Sequence, residues 1–313
     1  MLYEPILLEE IAEKAKNPHN FIKECENSYD QRLDSIAAKI SKNAGSCPII
    51  LISGPSGSGK TTSGLKLEEK LDAMGFKTHI LSLDNYFFPI SEAERPLFEA
   101  HLLDLESPAR VDRDFLNTQL ASLLRGERIE LPLFDFTANA RKASGKSLKL
   151  HKGELIILEG IHSLNPSVIE HSEEFSSGIY VSVRSRIEYR LSGERYLLHP
   201  SKIRLARRMI RDARSRNRTP SDTVELYAGV ERGENKYIMP YKKRADYDID
   251  TFFPYELCAY KALLPSSLPE DEARHPWLSE LFEVLSGLPL VPCDFIPDAS
   301  LIREFVGNGK YSD

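Results

Sequence analysis

A chain of 313 residues, 41% hydrophobic and 28% charged, has the composition of an ordinary globular protein and the length for one large α/β domain with appendages. Its net charge of −6 excludes a polyanion binder that works by bulk charge, so any anion affinity must come from a local cluster. No apolar run approaches the length of a membrane span, and Cys25, Cys47, Cys258 and Cys293 are too scattered for a metal-ligand set or a disulfide framework.

Residues 1–45 read as helical and charged. Leu33, Ile36, Ala37 and Ile40 recur at helical spacing, and Asn43-Ala44-Gly45-Ser46 reads as a stop. A packing appendage without chemistry is expected here. The opening Met1-Leu2-Tyr3-Glu4-Pro5 carries no basic n-region and no signal-peptide core, so with four unpaired cysteines a cytoplasmic location is expected.

From residue 47 the chain alternates strand and helix. Ile49 to Ser53 is the first strand, His79 to Leu83 the second, Leu155 to Leu158 the third and Ile179 to Val183 the fourth. Continuous apolar strands separated by helical segments predict an α/β fold with a mainly parallel sheet covered on both faces. Residues 127–150 read as a polar hairpin, and residues 184–235 are rich in arginine. Residues 264–276 read as a linker, followed by one helical run. The expected division is an N-terminal helical appendage over 1–45, a central α/β domain over 46–255 with an arginine lid at about 190–235, and a C-terminal helical extension over 256–313.

The strongest local signal is Gly54-Pro55-Ser56-Gly57-Ser58-Gly59-Lys60-Thr61-Thr62, which fits G-x-x-x-x-G-K-[ST] between the first strand and a helical pattern stopped by Gly75. Its glycines let backbone N–H groups turn toward phosphate oxygens, and the helix N-terminus adds its positive end. Lys60 can reach the β- and γ-phosphates, and the Thr61 hydroxyl can ligate Mg²⁺. Strand ends beside such a loop are where ligands bind. Asp84 ends the second strand and is a general base or metal ligand there, against the alternative of a helix cap. Glu159 follows four apolar residues in a Walker-B-like arrangement and would hold Mg²⁺.

Further along, Asp104 could accept two hydrogen bonds from vicinal sugar hydroxyls. Asp112 reads equally as a helix cap. Tyr86, Phe134 and Phe136 are ring-stacking candidates, while His162 reads as a structural histidine. Arg204, Arg207, Arg211, Arg214 and Arg218 fall at three- and four-residue steps, flanked by Arg208 and Arg216, and would line one helix face. Guanidinium groups over a transferring phosphoryl group stabilise its charge. A solvated basic helix is the bland alternative, with Asp212 pairing locally. Nucleic-acid binding is disfavoured, because the chain is acidic and no aromatics interleave with the arginines.

As an ordered set, Gly54 to Thr62, Leu83-Asp84-Asn85-Tyr86, Leu131 to Phe136 with Arg141-Lys142, Leu158-Glu159-Gly160-Ile161-His162, and Arg207-Arg208-Met209-Ile210-Arg211-Asp212 resemble the uridine kinase and phosphoribulokinase family over residues 47 to 255. The resemblance implies a P-loop NTPase αβα fold, ATP and Mg²⁺ as cofactors, and a nucleoside, uridine or cytidine, phosphorylated on its 5′-hydroxyl. It implies Asp84 as base and metal contact, Thr61 and Glu159 at the metal, and Asp104 on the ribose. It further implies Arg208 and Arg216 on the nucleotide, Arg211 in catalysis and at the sugar, Arg218 at the sugar, and Phe134 and Phe136 lining the base pocket. The chain departs from the family in having Phe134 where tyrosine is usual and Asn139 where histidine is usual, both at the base. Four readings stay open: a nucleoside kinase, a P-loop kinase of another small acceptor such as a phosphopentose or a pantothenate-like alcohol, an ATP-binding regulatory or RNA-associated protein, and a degenerate structural homologue, against which the intact Lys60, Thr61, Asp84 and Glu159 argue. The sequence is compatible with a homo-oligomer.

Overall fold

Three of the apolar runs become strands that are buried on both sides, as continuous rather than alternating hydrophobicity requires, and the run after His79 becomes a half-buried edge strand. The computed structural model describes residues 4–100 and 102–311; the opening Met1-Leu2-Tyr3 lies outside them. In chain order, β1 (Ile6–Leu7) and α1 (Leu8–Lys14) precede the long α2 (Pro18–Asn43), whose start is set by Asn17 as cap and Pro18 in the first turn. Then β2 (Ile49–Ser53) enters the phosphate loop and α3 (Lys60–Ala73) leaves it. β3 (Lys77–Ser82) ends in a 3₁₀ turn over Leu83–Tyr86, one residue earlier than the hydrophobic pattern indicates.

α4 (Arg95–Glu99) and α5 (Arg113–Leu124) follow, the latter capped by the Asp112 carboxylate accepting from Phe115 N–H. β4 (Arg128–Asp135) and β5 (Ala140–Lys149) form the antiparallel hairpin expected over 127–150. β6 (Glu154–Glu159) and β7 (Ser176–Ser182) return to the main sheet. A second hairpin, β8 (Ile187–Leu191) and β9 (Glu194–Leu198), pairs in parallel with β1. After it come α6 (Pro200–Ser215), α7 (Pro220–Gly233), β10 (Tyr247–Asp250), α8 (Glu256–Tyr260), α9 (Pro269–Arg274), α10 (Ser279–Ser286) and α11 (Arg303–Val306).

The main sheet runs β10-β7-β2-β6-β3 with every pair parallel. Its order brings the carboxyl ends of β2, β3 and β6 side by side; Ile52 pairs with Glu159, and Glu159 with Ser82. β10 is the strand that sequence patterning passes over, being four residues long with two aspartates. Asp250 is nevertheless 1% exposed, because its carboxylate accepts from the N–H groups of Arg184, Ser185 and Phe252 and from the Ser185 hydroxyl.

Among the described residues, packing crosses the expected boundaries at residues 45 and 255. Leu33, Ile36 and Ile40 of α2, the sheet residues Ile50 and Ile157, and Leu285, Leu301 and Phe305 of the C-terminal part share one core. Tyr29 of α2 and Ser63 of α3 are hydroxyl to hydroxyl at 2.7 Å. The hydroxyls of Tyr255 and Ser300 both donate to Glu26 Oε1 at 2.6 Å.

α6 also departs from the expected lid. Most of its residues are buried, and it lies beside the phosphate loop as part of the core. Arg207 and Glu256, both side chains 0% exposed, form a two-pronged pair at 2.7 and 2.9 Å. Removing one partner of such a pair leaves an uncompensated buried charge. Arg207→Met is therefore expected to lower the unfolding free energy by about 3–5 kcal/mol, read from a urea titration. The double variant Arg207→Met, Glu256→Leu should recover a large part of that loss. An unchanged midpoint in the single variant would show the pair to be idle.

Candidate active site

The phosphate loop forms because the chain leaves a fully buried strand and must reverse into a helix within seven residues. Gly59 makes the last bend at φ +83°, a left-handed conformation that suits glycine, immediately before Lys60 opens α3. The loop is fastened from below: Arg207 Nη1 donates to the Gly57 carbonyl at 3.2 Å, and the Thr251 hydroxyl donates to the Ser58 carbonyl at 2.7 Å. From the side, Arg204 Nη1 donates to the Ser56 carbonyl at 3.2 Å, and Arg208 Nη1 donates to Ser56 Oγ. Lys60 Nζ rests on the Pro55 carbonyl at 3.2 Å, and the buried Ser58 Oγ has no partner among the described residues.

Two carboxylates face this loop. Gly160 lets the turn after β3 press against the end of β6: a Cβ on it would lie 2.5 Å from Leu83 Cβ. That approach sets Asp84 beside Glu159. Burial raises the Asp84 carboxyl above its ordinary value, with Lys60 and Arg216 opposing. Burial, then the charge of Asp84, pushes Glu159 up to about 7, while Lys60 and a 2.9 Å hydrogen bond from Ser82 Oγ act the other way. The carboxylates are hard oxygen donors, and Thr61, in the first turn of α3, would add a hydroxyl. That donor set fits Mg²⁺. Among the described residues no group of three or more His, Cys, Asp or Glu side chains could hold a metal. The ion would take its remaining ligands from water and phosphate, which is the habit of Mg²⁺.

The arginines converge on one buried carboxylate. Asp212, 0% exposed, lies 2.8 Å from Arg211, 3.5 Å from Arg216, 3.8 Å from Arg218 and 3.9 Å from Arg208. Burial, followed by repulsion from Arg211, pushes Arg208 down to about 10, and its Nε has no partner among the described residues. A cluster holding more guanidinium than carboxylate is a place where a bound anion relieves strain. Arg214 points elsewhere, donating to the carbonyls of Phe305 and Glu304.

The acceptor side differs from the sequence expectation at several residues. Asp104 is exposed, with Oδ2 accepting from the Tyr237 hydroxyl at 2.9 Å. Glu106, two residues on, turns inward instead. Its Oε2 is buried without a partner among the described residues, and burial raises its carboxyl, opposed by Arg208 and Lys60. Tyr86 lies in the core beneath β3, its hydroxyl donating to Gln119 Oε1 at 2.7 Å, which removes it from the ring-stacking candidates. Phe134 is buried and meets Phe87 and Phe136 edge-on, whereas Phe136 is 66% exposed near the hairpin tip. Asn139, at φ +48°, bonds the backbone of Ile90 through both ends of its amide at 2.9 Å, so it pins the hairpin and its orientation is set by that contact. Asp112 caps α5 and pairs with Arg141 at 2.7 Å.

His162, three residues past Glu159, is 1% exposed, and its ring lies near the Glu106 backbone without a well-formed hydrogen bond. Its ring lies edge-on to Tyr237 at 6.4 Å. Sequence reasoning undervalued Glu106, Asp212 and His162. The signals were slight: an inward acid two residues after an exposed one, an aspartate inside an arginine run, and a histidine directly after the Glu159-Gly160 turn.

The profile of the Phosphoribulokinase / Uridine kinase family matches residues 49–254. A uridine kinase from Bacillus pumilus is 31% identical over 202 residues, spanning 64% of this chain and 84% of that one. One from Deinococcus deserti is 28% identical over 200 residues, spanning 63% and 84%. Among solved structures, a kinase named for a fructose transport system, from Silicibacter sp. TM1040, superposes with a TM-score of 0.52 at 18% identity, covering 69% of this chain and 98% of that one.

The burial of His162 has a thermodynamic signature. Burial lowers its pKa from the ordinary 6.5 to about 4. Between those values the unfolded chain takes up a proton that the folded chain refuses. This contribution is therefore fully present above pH 6.5 and is lost as pH falls toward 4. His162→Gln should flatten that part of the pH dependence, by about 1.4 kcal/mol per pH unit at most. Urea titrations of both proteins at pH 7 and pH 5 measure it, and parallel losses in the two would place the titration elsewhere.

Proposed function

The chain belongs to the phosphoribulokinase and uridine kinase family, and from that premise we propose that it transfers the γ-phosphoryl group of ATP to the 5′-hydroxyl of a pyrimidine nucleoside, uridine foremost. A phosphotransferase with ATP as donor follows from the family. The observation that carries the catalytic reading is Asp84, held at the end of β3 in the field of Lys60 and Arg216 with its basicity raised by burial. A carboxylate of raised pKa is a better proton acceptor near neutral pH than an exposed one.

In this reading Lys60 and the amides of the loop hold the triphosphate. Asp84 accepts the proton of the attacking hydroxyl as its oxygen forms the bond to the γ-phosphorus. The bond from that phosphorus to the bridging oxygen breaks, and the electrons leave on ADP. Arg208, Arg211, Arg216 and Arg218, gathered by Asp212, stabilise the charge on the transferring group and the leaving oxygen. Thr61, Asp84 and Glu159 would hold Mg²⁺, which when bound offsets the charge of the β- and γ-phosphates.

Glu106 takes the role first given to Asp104. A buried carboxylate oxygen without a partner suits a sugar hydroxyl that arrives with the substrate. His162, kept neutral, offers one donor and one acceptor on the same wall. With the Asn139 amide committed to Ile90, the aromatic edges of Phe134 and Phe136 are left to meet the base. A pocket without base-specific hydrogen bonds discriminates weakly, so uridine and cytidine should both serve. The same commitment favours, as second reading, a hydroxyl acceptor that carries no base.

An ADP-release assay across nucleosides, pentoses and simple alcohols tests the assignment, and silence on both uridine and cytidine would overturn it. Asp84→Asn is expected to cut turnover by about 10²–10⁴-fold with ATP affinity nearly unchanged. Near-normal turnover of that variant would remove Asp84 from the base role.

A further inference from the structure

The first turn of α3 is already occupied by an anion, and the anion belongs to the chain itself. Glu304 Oε2 accepts from Thr62 Oγ1 at 2.7 Å and from Thr62 N–H at 3.3 Å. Thr62 directly follows the Lys60-Thr61 pair. Its N–H is among the helix-start amides that have no partner within the helix and that a phosphate chain uses. Leu301 lies over the same turn: a Cβ on Gly59 would sit 2.7 Å from Leu301 Cδ1. The charge of Glu304 also reaches Glu159 across the cradle.

The backbone carrying Glu304 is fixed. Leu301, Ile302 and Phe305 are each 0% exposed. Lys66 Nζ donates to the Ala299 carbonyl at 3.1 Å, and Arg214 donates to the carbonyls of Glu304 and Phe305. The Arg207 guanidinium lies over the Phe305 ring at 4.9 Å. Expelling the whole segment would expose three buried apolar side chains. Swinging the half-buried Glu304 side chain away costs its two hydrogen bonds to Thr62 and part of its attraction to Arg207, and leaves the backbone in place.

We propose that Glu304 is an intramolecular competitor for the phosphate of the donor nearest the nucleoside, and that it sets the affinity of the site for nucleoside triphosphate. The inference rests on ATP being the donor. In the resting protein the carboxylate fills the Thr62 donors and repels incoming negative charge. A triphosphate gains the site by displacing one side chain while the C-terminal segment stays docked.

The test is ATP binding by titration calorimetry, without acceptor, to the full-length wild type, Glu304→Ala and Glu304→Gln. Losing a charge-assisted competitor should tighten binding by about 10- to 100-fold in Glu304→Ala. Glu304→Gln keeps an oxygen for Thr62 but loses the charge, so it should fall between the other two. It is nearly isosteric, and it guards against a folding defect in the alanine variant. Equal or weaker ATP binding in both variants, with acceptor phosphorylation intact, overturns the proposal and leaves the kinase reading standing. Tighter binding with no phosphorylation of any acceptor supports the proposal and sinks the kinase reading. ATP binding to none of the three proteins overturns both.

Discussion

The buried pair between Arg207 and Glu256 is the constraint on which the rest of the structure depends. A phosphate loop turns its amides toward the ligand, so its carbonyls face the protein and need donors there. Arg207 supplies one to Gly57. Through the same guanidinium it meets the carbonyl and hydroxyl of Thr251, and Thr251 in turn donates to Ser58. Glu256 makes that guanidinium affordable in a place without water, and Glu256 also accepts from the N–H of Phe253. One ion pair thus ties α6, the chain leaving β10 and the floor of the loop into a single rigid unit. A buried pair is weak grounds for stability in general, since desolvation offsets its attraction. Here its value is geometric, because it satisfies carbonyls that the loop conformation strands.

One turn further along α6, the same residue type serves a different end. Asp212 neutralises part of the charge of four arginines and leaves the remainder facing the cradle. The depressed pKa of Arg208 and the raised pKa values of Asp84 and Glu159 have one main origin, the burial of charged groups in the cleft, to which a like-charged neighbour adds at Arg208 and at Glu159. Each cost falls when its missing partner arrives, a phosphate for the arginines and a cation for the acids. Local electrostatic conflict of this kind is what sequence and structure tolerate where binding resolves it.

The parts legible in the sequence were those written in local code. The loop motif, the apolar strands β2, β3, β6 and β7, and the hairpin of β4 and β5 all follow from spacing and flanks. What escaped was decided at long range. β10 carries two aspartates, and Asp250 is buried only because a loop about 65 residues earlier in sequence satisfies it. The arginine run read as a lid because guanidinium groups suit a transferring phosphoryl group, and nothing near Arg207 in sequence announces Glu256. Asp104 and Glu106 are both acids in one loop, and which of them turns inward depends on Gly233, where a Cβ would lie 2.2 Å from Glu106 Cβ. The Asn139 amide looked like a base-reading group until the hairpin folded back onto Ile90.

The terminal segments were the least legible, and they explain why the cradle is not left bare. α2 and the C-terminal part close over α3 from opposite ends of the sequence. They meet at Glu26, Tyr255 and Ser300, and Tyr29 and Ser63 join α2 to α3. That junction is what holds residues 299–305 against the start of α3. A helix N-terminus with free amides attracts any anion within reach, and the most concentrated anion in reach of a docked segment is its own carboxylate. Once the fold had placed this segment beside Gly59 and Thr62, the residue facing Thr62 could leave the turn open, block it with an apolar side chain, or fill it with a removable charge. The chain has Glu304 there, and a single side chain can leave the turn without unpacking the Leu301, Ile302 and Phe305 that anchor it.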